Sequence, residues 1–166
     1  MSDVEARIKV LEDREAIKEL KARYCYIVDS RDWEAWSRLF TDDAEGEFLG
    51  FGTMSGREGF LQFAKRNIGP SLPFMVHMVC NPIIKISGDQ ASGRWYFNVP
   101  CQSSEKSGMF GGQAGWLQGL YDERYRRVDD EWLISYMKAS FHFGASVVDG
   151  WTDNWHGTDS FINASK

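Results

Sequence analysis

Between Ala91 and Val99 the chain alternates without a break: Ala91, Gly93, Trp95, Phe97 and Val99 on one side, Ser92, Arg94, Tyr96 and Asn98 on the other. A period of two places successive side chains on opposite faces of a strand, so this segment reads as half-buried β-structure. The N-terminal part obeys a different rule. There Ile17, Leu20, Tyr24, Ile27 and Val28 recur at three- and four-residue spacing, the period of an amphipathic helix. Helices first and long strands afterwards predict an α+β domain in which a curved, mostly antiparallel sheet wraps the apolar faces of the helices.

The boundaries follow from turn and capping chemistry. Ser2 or Asp3 opens an early helical turn, and Asp13 is placed to cap the main part of the first helix. Asp32 caps a second short helix running through Trp33, Trp36, Leu39 and Phe40. One or two short strands fit residues 44–54. Ser55 and Gly56 then open a third helix that buries Phe60, Leu61, Phe63 and Ala64 and ends at Gly69-Pro70. Strands are expected over 75–79, 82–86, 91–99, 113–128 and 131–148, with hairpin tips at Gly88-Asp89 and Asp129-Asp130. Gly108 to Gly115 reads as a loop or a strand bend.

At 166 residues the chain fits one domain spanning residues 1–166. Three cysteines without a paired spacing read as reduced thiols, which places the protein in the cytoplasm. The charged start of the chain is unlike a secretory signal, and no apolar run is long enough to span a bilayer. A net charge of -5 with acids and bases interspersed argues against a nucleic-acid partner. Aromatic residues, at 14% with seven Trp and eleven Phe, exceed what such a core requires, and the surplus can line a pocket or an oligomer contact.

Several phrases together resemble a known family. They are the helix Ile17 to Asp29, Asp32-Trp33 leading to Leu39-Phe40-Thr41-Asp42-Asp43-Ala44, the strand residue His77, the stretch Ala91 to Tyr96, and the hairpin Tyr125 to Trp132. The chain is similar in these to the SnoaL-like proteins of the nuclear transport factor two-like superfamily, which include scytalone dehydratase, bile-acid dehydratases and hexachlorocyclohexane dehydrochlorinase. The resemblance implies a cone-shaped roll of sheet around three N-terminal helices, enclosing a pocket and needing no cofactor. It also implies a catalytic set of His77, Asp29 and Tyr24.

The residue types suit proton transfer. An imidazole has an unperturbed pKa near 6.5, so it can take and return a proton near neutral pH. A carboxylate on its other nitrogen fixes the tautomer, and a phenol can donate to an oxygen that gains charge. By helical phase alone Tyr24 is a core residue, and His77 between Val76 and Met78 reads equally as a satisfied core histidine. Tyr24 and Asp29 stand about 140° apart on a regular helix, so the helix must end near Asp29 for both to address one cavity.

Two positions depart from the family pattern. The acid that the bile-acid dehydratases carry falls here on Val99, and the second histidine that follows Val-Pro in scytalone dehydratase is Cys101. Each removes a group that could protonate a leaving hydroxyl.

The expected protein is thus a lyase or isomerase that abstracts a proton from a small hydrophobic molecule: polycyclic, steroid-like, aromatic or polyketide. Dehydration is one option. The alternative is a non-catalytic ligand-binding protein or a relative of the small subunit of ring-hydroxylating oxygenases. Trp36, Phe40, Trp95, Phe97, Val99, Cys101 and Trp116 are expected to contact the substrate, with Trp151 and Trp155 near the mouth or at an interface. His142 and His156 lack metal-ligand spacing, so no metal is expected. Tyr121, Tyr125 and Trp132 are expected outside the cone, at the contact of a homodimer or homotrimer.

Overall fold

The computed structural model describes residues 2–48, 50–107 and 109–148, so Gly108, Trp151, Trp155 and His156 lie outside the described residues. The first helix, α1 (Asp3–Ser30), begins in a capping box: the Ser2 hydroxyl accepts from Glu5 N–H while the Glu5 carboxylate accepts from Ser2 N–H. It runs unbroken past Asp13. That carboxylate is no cap; it is buried and accepts from Arg127 Nη2 at 2.6 Å and Trp132 Nε1 at 3.3 Å. The helix ends at Arg31, which takes a left-handed conformation (φ 64°), and the Arg31 guanidinium donates to the carbonyls of Gly69 and Leu72.

Asp32 caps α2 (Trp33–Ser37) through Ala35 N–H, as its side chain suggests. This helix is shorter than expected. Phe40 already belongs to β1 (Phe40–Phe48), because residues 40 and 45–48 pair with the last strand. After β2 (Gly52–Ser55) comes α3 (Gly56–Phe63), extended by a π turn (Ala64–Ile68) and α4 (Gly69–Ser71). Gly69-Pro70 therefore does not stop the helix but sits in its final turn.

Seven strands form one curved, mixed sheet in the order β2-β1-β7-β6-β5-β3, with β4 also paired to β5. The remaining strands are β3 (Phe74–Met75), β4 (Met78–Ser87), β5 (Gln90–Gln102), β6 (Ala114–Val128) and β7 (Glu131–Ser146). Among the described residues only the β1–β7 pairing is parallel. Two-residue turns at Gly88-Asp89 and Asp129-Asp130 close the expected hairpins, the aspartates of the second taking φ 48° and 65°. The two strands expected over 75–79 and 82–86 are redistributed: β4 passes through Pro82 with a bulge, and the chain breaks instead at Val76-His77.

The inward face of β5 carries Ala91, Gly93, Trp95, Phe97, Val99 and Cys101, as the alternation requires. On β6 the inward set is Leu117, Gly119, Tyr121, Glu123 and Tyr125. Tyr121, Tyr125 and Trp132 are 3%, 1% and 4% exposed, so these rings belong to the core and not to the outer face. The outer face shows Met78, Ile83, Tyr96 and Trp116 instead. Together with Ile17, Leu20, Tyr24 and Val28 of α1 and Phe60 and Phe63 of α3, the inner face encloses one apolar core.

A candidate active site at the end of the first helix

The last turns of α1 supply Tyr24, Val28 and Asp29, and the break between β3 and β4 supplies His77. Asp29 grips His77 twice. Its Oδ2 accepts from His77 N–H at 2.9 Å, and its Oδ1 lies 2.7 Å from the ring Nδ1. The backbone bond exists because the chain breaks there, freeing an N–H that a continuous strand would have paired. The break thus leaves His77 at the wall of a cavity. Side-chain exposures of 10% for His77 and 21% for Asp29 keep the pair mostly dry. With Nδ1 bound to the carboxylate, Nε2 is the ring nitrogen left to act on a ligand.

Tyr24 and Asp29 meet at this place although helical phase separates them, because Arg31 ends the helix and Asp29 reaches sideways to His77. The Tyr24 ring stands edge-to-face with the imidazole, centroids 6.1 Å apart. Both border a cavity that is partly open to solvent. Its walls are apolar and aromatic, among them Val28, Phe48, Phe63, Met75, Phe97 and Phe141. Polar side chains at the wall are those of Tyr24, Tyr121, His77, Asn67 and Ser71. No carboxylate and no second imidazole borders it among the described residues.

Of the side chains expected to contact substrate, Phe97 and Val99 line this cavity. The others lie elsewhere. Trp36 and Phe40 are wholly buried one layer behind Tyr24, where Phe40 stacks on Phe60 at 3.9 Å. Trp95 and Cys101 share the inward face of β5 but do not border the cavity, and the Trp95 indole donates to the Tyr125 hydroxyl instead, since alternation fixes a face and not a neighbour. Trp116 points outward, opposite in phase to Leu117. Tyr121, Asn67 and Ser71 are wall residues that sequence reasoning did not find.

Behind the cavity lies a buried polar chain. Lys21 Nζ donates to Glu123 Oε1 at 2.5 Å, and both side chains are 0% exposed. The second Glu123 oxygen accepts from the Tyr125 hydroxyl, which accepts from Trp95 Nε1 at 2.8 Å. Burial pushes the phenols of Tyr24, Tyr121 and Tyr125 well above the usual range, and the charge of Glu123 adds to this at each. Burial also raises the Cys25 thiol to about 11 and the Cys101 thiol to about 12.

These shifts have a sign that can be tested. Above about pH 10 an unfolded chain loses phenol protons that the folded protein keeps, so stability is full below that pH and falls as the pH rises. In an alkaline titration followed by tyrosinate absorbance, the native protein should fall short of its six tyrosines by these three, and denaturant should restore them.

The same architecture occurs in solved proteins. A structure of hexachlorocyclohexane dehydrochlorinase type 2 matches with a TM-score of 0.78 and 25% identity, over 85% of this chain and 93% of that one. A scytalone dehydratase-like protein from Novosphingobium aromaticivorans shares the fold, with a TM-score of 0.73 and 20% identity over 82% and 88% of the two chains. In sequence, hexachlorocyclohexane dehydrochlorinase 1 of Sphingobium indicum is 27% identical over 144 residues, 86% of this chain and 88% of that protein. An uncharacterized Mycobacterium tuberculosis protein is 28% identical over 126 residues, 75% and 82% of the two chains. The profile of the SnoaL-like domain matches residues 9–138, well over half of the chain and inclusive of Tyr24, Asp29, His77 and Tyr121, so the chain belongs to the SnoaL-like domain family.

Proposed function

We propose that the protein is a cofactor-independent lyase or isomerase in which His77, oriented by Asp29, takes a proton from a carbon of a small hydrophobic substrate. The observation that carries this reading is the double hold of Asp29 on His77 at the wall of an apolar cavity. A satisfied core histidine has a partner on each ring nitrogen, whereas among the described residues only Nδ1 of His77 has one. A carboxylate that fixes both backbone and imidazole, and leaves Nε2 towards the cavity, is the arrangement a general base requires. Similarity to dehydrochlorinases supports the lyase class.

In the step itself the C–H bond breaks and the proton passes to Nε2. The electron pair forms a new C=C bond, and either a leaving group departs with its own bonding pair or the charge moves onto neighbouring unsaturation. Without a second acid at the wall, the leaving groups best served are those that need no proton, such as halide. That same gap favours the second reading, a ligand container.

Two assays separate the readings. Chloride release from γ-hexachlorocyclohexane and deuterium uptake by bicyclic ketones in heavy water each report carbon-bound proton removal. Catalysed turnover in either is the expected result. A hydrophobic ligand carried through purification unchanged, and held equally well by the wild type and His77→Ala, would establish the container.

A further inference from the structure

The first turns of α1 stand clear of the sheet. None of residues 2–12 is buried, and Asp13 is the first buried residue of the helix. Yet this stretch carries Val4, Ile8 and Leu11, which are 61%, 49% and 61% exposed. They follow one another at spacings of four and three and so form a single stripe. At about 100° per residue the stripe lies about 160° round the helix from Ile17, Leu20, Tyr24 and Val28, the residues that α1 gives to the core. The stripe thus faces away from the body of its own chain, where a partner has room.

The flanks say what the partner is. Counting heptads through the stripe puts Ile8 at position a and Val4 and Leu11 at position d, the seam of a coiled coil. Position e on one side of the seam is then Glu5, Glu12 and Glu19, and position g on the other is Arg7 and Arg14. One flank is acidic and the other basic. In a parallel pair of helices each g residue meets the e residue of the partner's following heptad, so Arg7 meets the partner's Glu12 and Arg14 the partner's Glu19. An antiparallel pair would set e against e and g against g, acid on acid and base on base. These charges are also free to pair: among the described residues Glu12, Arg14 and Glu19 form no ion pair within the chain, and Arg7 reaches only an exposed Asp3 at 4.0 Å.

We infer that the exposed stripe of α1 is a dimerisation surface, on which the same stripe of a second copy of this chain lies in parallel. Ile at a with Leu at d is the choice that favours two strands. The seam is short, because the next a and d residues are Glu15 and Lys18, which pair with each other at 2.6 Å. Core packing further along has already fixed α1 as a helix, so association does not have to order it. Each chain buries the opposite face of its own α1, which sets the two bodies on the outer sides of the helix pair. Tyr24 and Val28, at the cavity wall, are on the faces turned away from the contact.

Sedimentation velocity on the full chain tests this. The wild type should pass from monomer to dimer as its concentration rises through the micromolar range, and added salt should weaken the dimer. Leu11→Glu puts an acid into the seam and should weaken association at least about tenfold. Residue 11 is exposed in the single chain, so the melting temperature at low concentration should stay where it is.

The charges give the sharper test. Arg7→Glu and Glu12→Arg each remove two symmetry-related pairs, and each should weaken association roughly two- to thirtyfold. An equimolar mixture of these two variants should recover the wild-type affinity. In the mixed dimer the retained Arg7 faces the partner's retained Glu12, and the two substituted residues face each other. A wild type that stays monomeric overturns the inference, as does a dimer indifferent to Leu11→Glu, whose contact lies elsewhere. Single charge reversals that tighten the dimer would mean antiparallel helices and overturn it too, and so would a mixture that recovers nothing.

Discussion

Replacing His77 by alanine should lower kcat/KM by a factor on the order of a hundred to ten thousand, the range that a positioned general base supplies. The loss should fall on kcat, since the cavity walls that bind an apolar ligand are left in place. Stability should change little. His77 sits in a two-residue break at the sheet edge, and its backbone N–H keeps its bond to Asp29 whatever side chain it carries. Asp29→Asn tests a different part of the arrangement. The amide oxygen can still accept from His77 N–H, but its NH2 would then face Nδ1 and reverse the tautomer, taking the acceptor away from Nε2. A smaller loss than in His77→Ala is expected if orientation is the role of Asp29. Melting curves for the three proteins and initial rates on one substrate decide the matter. Equal rates in wild type and His77→Ala would leave the cavity as a container.

Much of this architecture was legible because period is a local property. The alternation of β5, the apolar stripe of α1, the cap at Asp32 and both hairpin tips depend only on residues close in sequence, and the structure has each of them. The errors have a common cause in tertiary context. Asp13 looks like a cap until Arg127 and Trp132, far along the chain, are seen to need an acceptor. β6 carries rings and charges on both faces, so composition cannot choose its inward side, and Tyr121 and Tyr125 face the core where they are expected outside. Parity is set by the pleat and the partner strands, which place Leu117, Tyr121 and Tyr125 together. The break at His77 left no trace in sequence either. It arises because β3 and β4 pair with β5 as separate segments, Met75 opposite Cys101 and Met78 opposite Asn98.

Lys21 and Glu123 did leave a signal. Lys21 lies four residues after Ile17 and three before Tyr24, inside the apolar stripe, and Glu123 falls between Tyr121 and Tyr125 in the inward phase of β6. Two opposite charges in buried phase, on elements that must pack together, call for each other. Removing one should therefore have the largest stability effect of any substitution considered. Lys21→Met leaves the Glu123 carboxylate buried without its cation and should cost about 3–5 kcal/mol in urea unfolding. Such a carboxylate escapes by taking a proton, which gives the loss a pH signature. Its folded pKa rises above the unfolded value near 4.3, so the variant should be least impaired at low pH and lose further stability as the pH rises from there. Adding Glu123→Gln removes the stranded charge while keeping an acceptor for the Tyr125 hydroxyl. The double variant should recover most of the loss and its pH dependence, because an ion pair replaced as a unit costs far less than one broken. Were Lys21→Met alone near neutral in stability, the pair would be idle, and the Tyr24 and Tyr121 rings that flank the ammonium would be held by packing alone.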